Sequence, residues 1–262
     1  MQHETVIWDK RPDGIAILTL DRPEAGNSIN QRMDEEVAGI WAEVKADPAV
    51  KVVIITGSGG RFFCTGADMK EWAQTGQVPM ARLPGGHGFR LLARDQKVFK
   101  PIICAVNGIC AGGGLHFVND GDIVICADHA VFLDPHVSVG QVTAEEPIGL
   151  SRRVPLEFVM RMSLLGVHAQ VSAERAWQVG LVGELVPAGR LLDRALELAG
   201  LVARNSLAAM MKSKQALIES LDCGLRPALD NGFALLSSHW SHPDCVEGPR
   251  AFAGKRSPHW SS

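Results

Sequence analysis

The chain has 262 residues, and its 26 Lys and Arg against 29 Asp and Glu leave a net charge of −3. That balance gives no electrostatic footprint for nucleic acid or an anionic membrane surface, and the length suffices for one large core, or a core with a small helical appendage. Its 6 cysteines are scattered without a C-x-x-C pair or metal-ligand spacing, the first five residues are polar, and no apolar run reaches the length of a membrane span, so the expectation is a cytoplasmic protein with no metal and no membrane partner. Four of the cysteines (Cys64, Cys104, Cys110, Cys126) sit in apolar or glycine-rich surroundings typical of reduced core thiols.

In chain order, β-rich runs at 15–20, 50–56, 102–106 and 123–126 alternate with helical patterns. Residues 33–45 read as an amphipathic helix, with Met33, Val37, Ile40, Trp41 and Val44 on one face. The alternation predicts an α/β architecture with mostly parallel strands. After Pro187 the pattern turns helical, over 191–201, 208–221 and 227–238. Residues 76–87, with Pro79, Pro84, Gly85 and Gly86, have turn composition and no apolar period, so a loop or lid is expected there.

Two small-residue turns carry the chemistry. Gly112-Gly113-Gly114 follows an apolar strand and precedes an apolar segment, and Thr65-Gly66-Ala67-Asp68 lies upstream. The glycines serve either close helix–sheet packing or a pocket of uncovered N–H groups at a helix start, where the dipole favours negative charge. In the second case, N–H groups from Ala67 and Gly113 would form a two-donor oxyanion hole. A dinucleotide loop at Gly57-Ser58-Gly59-Gly60 is disfavoured, because the fingerprint needs glycine where Phe62 stands.

Together these segments resemble the crotonase superfamily, the enoyl-CoA hydratase/isomerase proteins. The resemblance rests on Phe63 to Lys70 with its Gly-Ala-Asp turn, and on Lys100-Pro101 through Ala105-Val106-Asn107-Gly108 to Gly114. It also takes in Leu20 to Asn27, Ser172-Ala173-Glu174-Arg175-Ala176 with Gly180-Leu181-Val182, and Glu247-Gly248 with Phe252 and Lys255-Arg256. It implies a crotonase-like ββα spiral core over 1–190 that binds coenzyme A and holds the catalytic groups. It further implies a C-terminal helical region over 191–262 for assembly into a homotrimer or dimer of trimers. Coenzyme A would enter as part of an acyl-CoA substrate, with no tightly bound cofactor. Arg22, Ala25, Ala67, Asp68, Met69, Phe252 and Lys255 fall on family positions that contact it.

At the catalytic positions the chain departs from that pattern. Typical hydratases carry glutamate two residues after the last glycine of the triple and again just after a downstream proline. Here those positions hold His116 and His136. Imidazoles can remove, deliver or relay a proton near neutral pH, so the pair fits hydration of an enoyl-CoA or a double-bond shift. It also fits hydrolytic C–C cleavage of a β-keto or β-diketone substrate, as in histidine-using relatives. A catalytically weak acyl-CoA-binding protein is the alternative outside enzymes. Glu145 and Glu146 form a further acidic pair, with Glu145 a candidate to orient His136; solvated charges ahead of a helix would look the same in sequence.

Overall fold

The structure, a computed structural model, describes residues 3–84 and 89–261. Its strands are β1 (Val6–Lys10), β2 (Ile15–Leu20), β3 (Val52–Gly57), β4 (Phe62–Cys64), β5 (Ile102–Val106), β6 (Ile109–Ala111), β7 (Ile123–Ala127), β8 (Val131–Leu133), β9 (Val171–Ser172) and β10 (Glu184–Val186). Its helices are α1 (Gln31–Ala46), α2 (Met69–Thr75), α3 (Leu115–Asp120), α4 (Glu145–Leu150), α5 (Leu156–Leu165), α6 (Ala173–Gln178), α7 (Leu191–Ala203), α8 (Leu207–Glu219), α9 (Leu225–His239) and α10 (Asp244–Ala253). Among the described residues no helix is long and apolar enough to cross a membrane.

Two sheets organise the core. The larger runs β1-β2-β3-β5-β7-β10 and the smaller β4-β6-β8-β9. All pairings are parallel except β1 with β2 and β8 with β9. In three successive units a strand of the large sheet (β3, β5, β7) is followed by one of the small sheet (β4, β6, β8) and then by a helix or helical turn. This is the ββα spiral implied by the resemblance. The central strands are apolar on both faces, as sheets covered on both sides require.

One face of the large sheet packs with α1, whose Met33, Val37, Ile40, Trp41 and Val44 are buried and whose start is capped by Asn30 accepting the Met33 N–H. The other face takes α7 through Leu191, Ala195 and Ala199, against Ile17, Val52, Ile54, Ile103 and Ile125. The boundary expected at residue 190 therefore falls just ahead of a helix that shares the core. The apolar stripe of α7 is buried within its own chain, because small alanines let the helix approach the sheet closely. Cys64, Cys104, Cys110 and Cys126 are buried thiols, and burial pushes Cys64 up to about 12. Of the loop expected over 76–87, residues 85–87 lie outside the described residues. On either side of them Arg82 and Phe89 pair as an antiparallel bridge.

Candidate active site

Three strand-to-helix turns, after the parallel strands β4, β6 and β8, converge on one place. In the first, Gly66 adopts a φ of +89°, and a Cβ there would lie 2.8 Å from the Gly113 nitrogen and 3.0 Å from the Ala111 oxygen. Only glycine lets the two turns come this close. The next residue, Ala67, makes no backbone hydrogen bond through its N–H among the described residues. Asp68 caps α2 by accepting from the Lys70 and Glu71 nitrogens.

The second turn is the 3-10 segment Gly112–Gly114, leading into α3. The N–H of Gly113 falls in its first turn, where no intrahelical acceptor exists. A Cβ on Gly113 would stand 3.5 Å from the Ala67 nitrogen. The two expected donors are thus neighbours. His116 sits in the first turn of α3, 4% exposed, with the Phe89 ring edge-on to its imidazole at 5.2 Å.

The third turn presents Asp134 and His136. Asp134 is fully buried; its Oδ1 lies 2.6 Å from His136 Nδ1, and its Oδ2 accepts from the Thr143 hydroxyl. That carboxylate fixes the imidazole with Nε2 facing away from it. The Asp134 hydrogen bond, opposed by burial and helped by Glu146, raises the His136 pKa above its ordinary value.

Glu146, one of the acidic pair noted in the sequence, completes the group. Glu146 Oε1 lies 3.1 Å from His116 Nε2 and 3.7 Å from His136 Nε2. The first is a direct hydrogen bond and the second a purely Coulombic approach. Burial pushes the Glu146 carboxyl up, but the His116 hydrogen bond and charge outweigh it, and the pKa falls below the ordinary range. Its backbone carbonyl accepts from Asn119 Nδ2 at 3.0 Å, which ties α4 to α3.

Glu145 does not orient His136. It pairs with Arg82 at the rim of the chamber, while Asp134 holds the His136 ring. Helix geometry separates the two glutamates: Glu146 shares the buried face of α4 with Leu150, four residues on, and Glu145 is turned off it. That i, i+4 relation to a buried leucine was a signal present in the sequence. Ala67, His116, His136 and Glu146 line one chamber of about 200 Å³, with Trp72, Val78 and Met80 among its apolar walls. The expected coenzyme A contacts are more dispersed. Arg22 directs Nη1 to the Ser28 carbonyl at 2.7 Å and Nη2 to Asp68 at 2.9 Å, bracing the Ala67–Asp68 turn from inside. Ala25 ends a short 3-10 turn, Met69 is exposed at the start of α2, and Phe252 and Lys255 are exposed on and after α10.

Residues 10–262 match the family Enoyl-CoA hydratase/isomerase. The chain is 33% identical over 252 residues to a carnitinyl-CoA dehydratase from Proteus mirabilis, covering 93% of each chain. It is 33% identical over 245 residues to (E)-benzylidenesuccinyl-CoA hydratase from Thauera aromatica, covering 93% of this chain and 94% of that one. Its structure is similar to that of an enoyl-CoA hydratase/isomerase from Mycobacterium paratuberculosis, with a TM-score of 0.88, 34% identity and 99% of each chain covered.

Proposed function

The chain belongs to the enoyl-CoA hydratase/isomerase family, and from that premise we propose that it adds water reversibly to the double bond of a CoA-linked enoyl thioester. Relatives named as CoA hydratases and dehydratases support the reaction class. The observation that carries the reading is the placement of Glu146 between the two imidazoles, in the chamber that also holds Ala67.

The thioester oxygen accepts from the Ala67 and Gly113 N–H groups, where charge develops as the enolate forms. Glu146, held ionised, takes a proton from water as the oxygen bonds to the β-carbon. The double-bond electrons move toward the thioester oxygen. His136, protonated and held by Asp134, delivers its Nε2 proton to the α-carbon. Glu146 then gives its proton to water and His136 takes one up from water, so both groups are restored. His116 acts as a positioning residue, donating Nε2–H to Glu146. Coenzyme A lies along the Ala67–Asp68–Met69 edge, with Phe252 and Lys255 reaching it from a neighbouring subunit of a homotrimer or dimer of trimers.

Hydration of a panel of enoyl-CoA thioesters, followed by loss of the conjugated-thioester absorbance, tests this directly. Glu146→Gln and His136→Gln each remove a proton-transfer group and are expected to lower kcat by roughly 10²–10⁴-fold, with little change in CoA-ester affinity. Absence of hydration across the panel, or full turnover in both variants, overturns the reading.

A further inference from the structure

Between the turn that carries His136 and the helix that carries Glu146, residues 141–144 run without regular secondary structure. Val142 and Ala144 are exposed, while Thr143 between them is half-buried. Its hydroxyl donates to Asp134 Oδ2. The other oxygen of that carboxylate, Oδ1, takes the His136 ring Nδ1 at 2.6 Å and the His136 backbone N–H at 3.2 Å. Asp134 has no exposed surface, and among the described residues no other donor reaches its Oδ2. Val142 and Ala144 line the chamber around the two imidazoles, but Thr143 does not. Whatever it does to the reacting atoms therefore passes through Asp134.

We propose that Thr143 is a positioning residue that, through Asp134, sets how His136 is oriented and how readily it releases its Nε2 proton. The inference rests on the hydration reading above, in which His136 is the acid. A buried carboxylate oxygen without a donor is costly, and that alone would favour a hydroxyl here. The effect on His136 follows from where the charge goes. A charge-assisted bond at Oδ2 draws negative charge away from Oδ1, the oxygen that holds the imidazolium. The carboxylate needs that donor most once the imidazole is neutral and no cation faces it, so the hydroxyl favours the state in which the proton has left. The other charges around the ring leave this role to Thr143: Glu146 on α4 stands 3.7 Å from Nε2, His116 on α3 is paired to Glu146, and Glu145 is paired with Arg82 at the chamber rim. The position also matters, because the same hydroxyl ties the turn bearing His136 to the start of α4, three residues before Glu146.

Titration of the His136 imidazole by NMR in the intact protein measures this without substrate, its resonance assigned by its loss in His136→Gln. Thr143→Val keeps the shape and removes the donor. Its His136 midpoint is expected to rise by about half a pH unit to one unit, the reverse of neutralising Asp134. Thr143→Cys, of similar size with a much weaker donor, should move it the same way, which covers a valine variant that fails to fold. In turnover, kcat should fall by roughly tenfold with KM nearly unchanged, and the alkaline limb should move to higher pH. Thr143→Ser, which keeps the hydroxyl, should restore both. A midpoint that stays put or falls in the valine and cysteine variants overturns the proposal, as does a serine variant that behaves like valine. Because the imidazole titration requires no hydration, absence of turnover across the enoyl-CoA panel would strike the hydration reading alone, and an unmoved midpoint would strike the role of Thr143 alone.

Discussion

Glu146 carries its charge at a place where burial opposes it, and His116 is what makes the charge tolerable. Its lowered pKa stabilises the fold above the ordinary carboxylate range, a contribution lost as pH falls through the lowered value. His136 works in the opposite sense: its raised pKa stabilises the fold below the ordinary imidazole range, and that contribution is lost as pH rises through the raised value. The protonation state that the proposed hydration requires, Glu146 ionised with His136 protonated, occupies the window between the two. The profile of kcat/KM against pH is therefore expected to be bell-shaped, with its alkaline limb set by His136. Asp134→Asn replaces the charged acceptor that raises His136 by a neutral one and should move that limb toward acidic pH while leaving the acid limb in place. An alkaline limb that stays put in the variant would separate His136 from the pH dependence.

At the scale of elements, the glycines of the two turns have different duties, and substitution distinguishes them. A Cβ on Gly66 would collide with backbone at 2.8 Å, in a conformation that L residues rarely adopt, whereas one on Gly113 meets its nearest atoms only at 3.4–3.5 Å. Gly66→Ala is expected to cost about 1–3 kcal/mol of stability, seen as a clear drop in Tm. Gly113→Ala should leave Tm nearly unchanged, yet place a methyl against the Ala67 donor and lower kcat by roughly 10²–10³-fold. Equal Tm losses in the two variants would contradict this division. The same elements show what the sequence could convey. Long apolar runs such as β2, β5 and the α1 stripe are legible because their periodicity spans several residues. Strands β4, β6, β8 and β9 have only 2–3 residues, too few for a period, and only the family resemblance implied them. His116 and His136 were legible as the residues standing where the family pattern has its two glutamates. The pairing of Glu146 with His116 was not, because it forms only when α3 and α4 pack together, whereas Asp134 reaches His136 within a single turn.

On the molecule as a whole, burial is uneven. The stripe of α7 is satisfied within the chain, but α9 exposes Leu225, Leu229, Phe233 and Leu236, with Trp240 just past its end, each more than half accessible and recurring at helical spacing. Phe233 and Trp240 stack edge to face at 5.8 Å, which joins the lower part of the stripe into one surface. An apolar face of this length on a single chain marks an interaction surface, and closed symmetry is the usual way to cover it with further copies of the same chain. The helix that packs beside it is α8. Light scattering at micromolar concentration should give three or six times the 28.2 kDa chain mass. Replacing Leu229 and Phe233 together by glutamate places charge in that face and should shift the mass toward 28.2 kDa. A wild-type protein that already scatters as a single chain would show that α9 is not covered by its own kind.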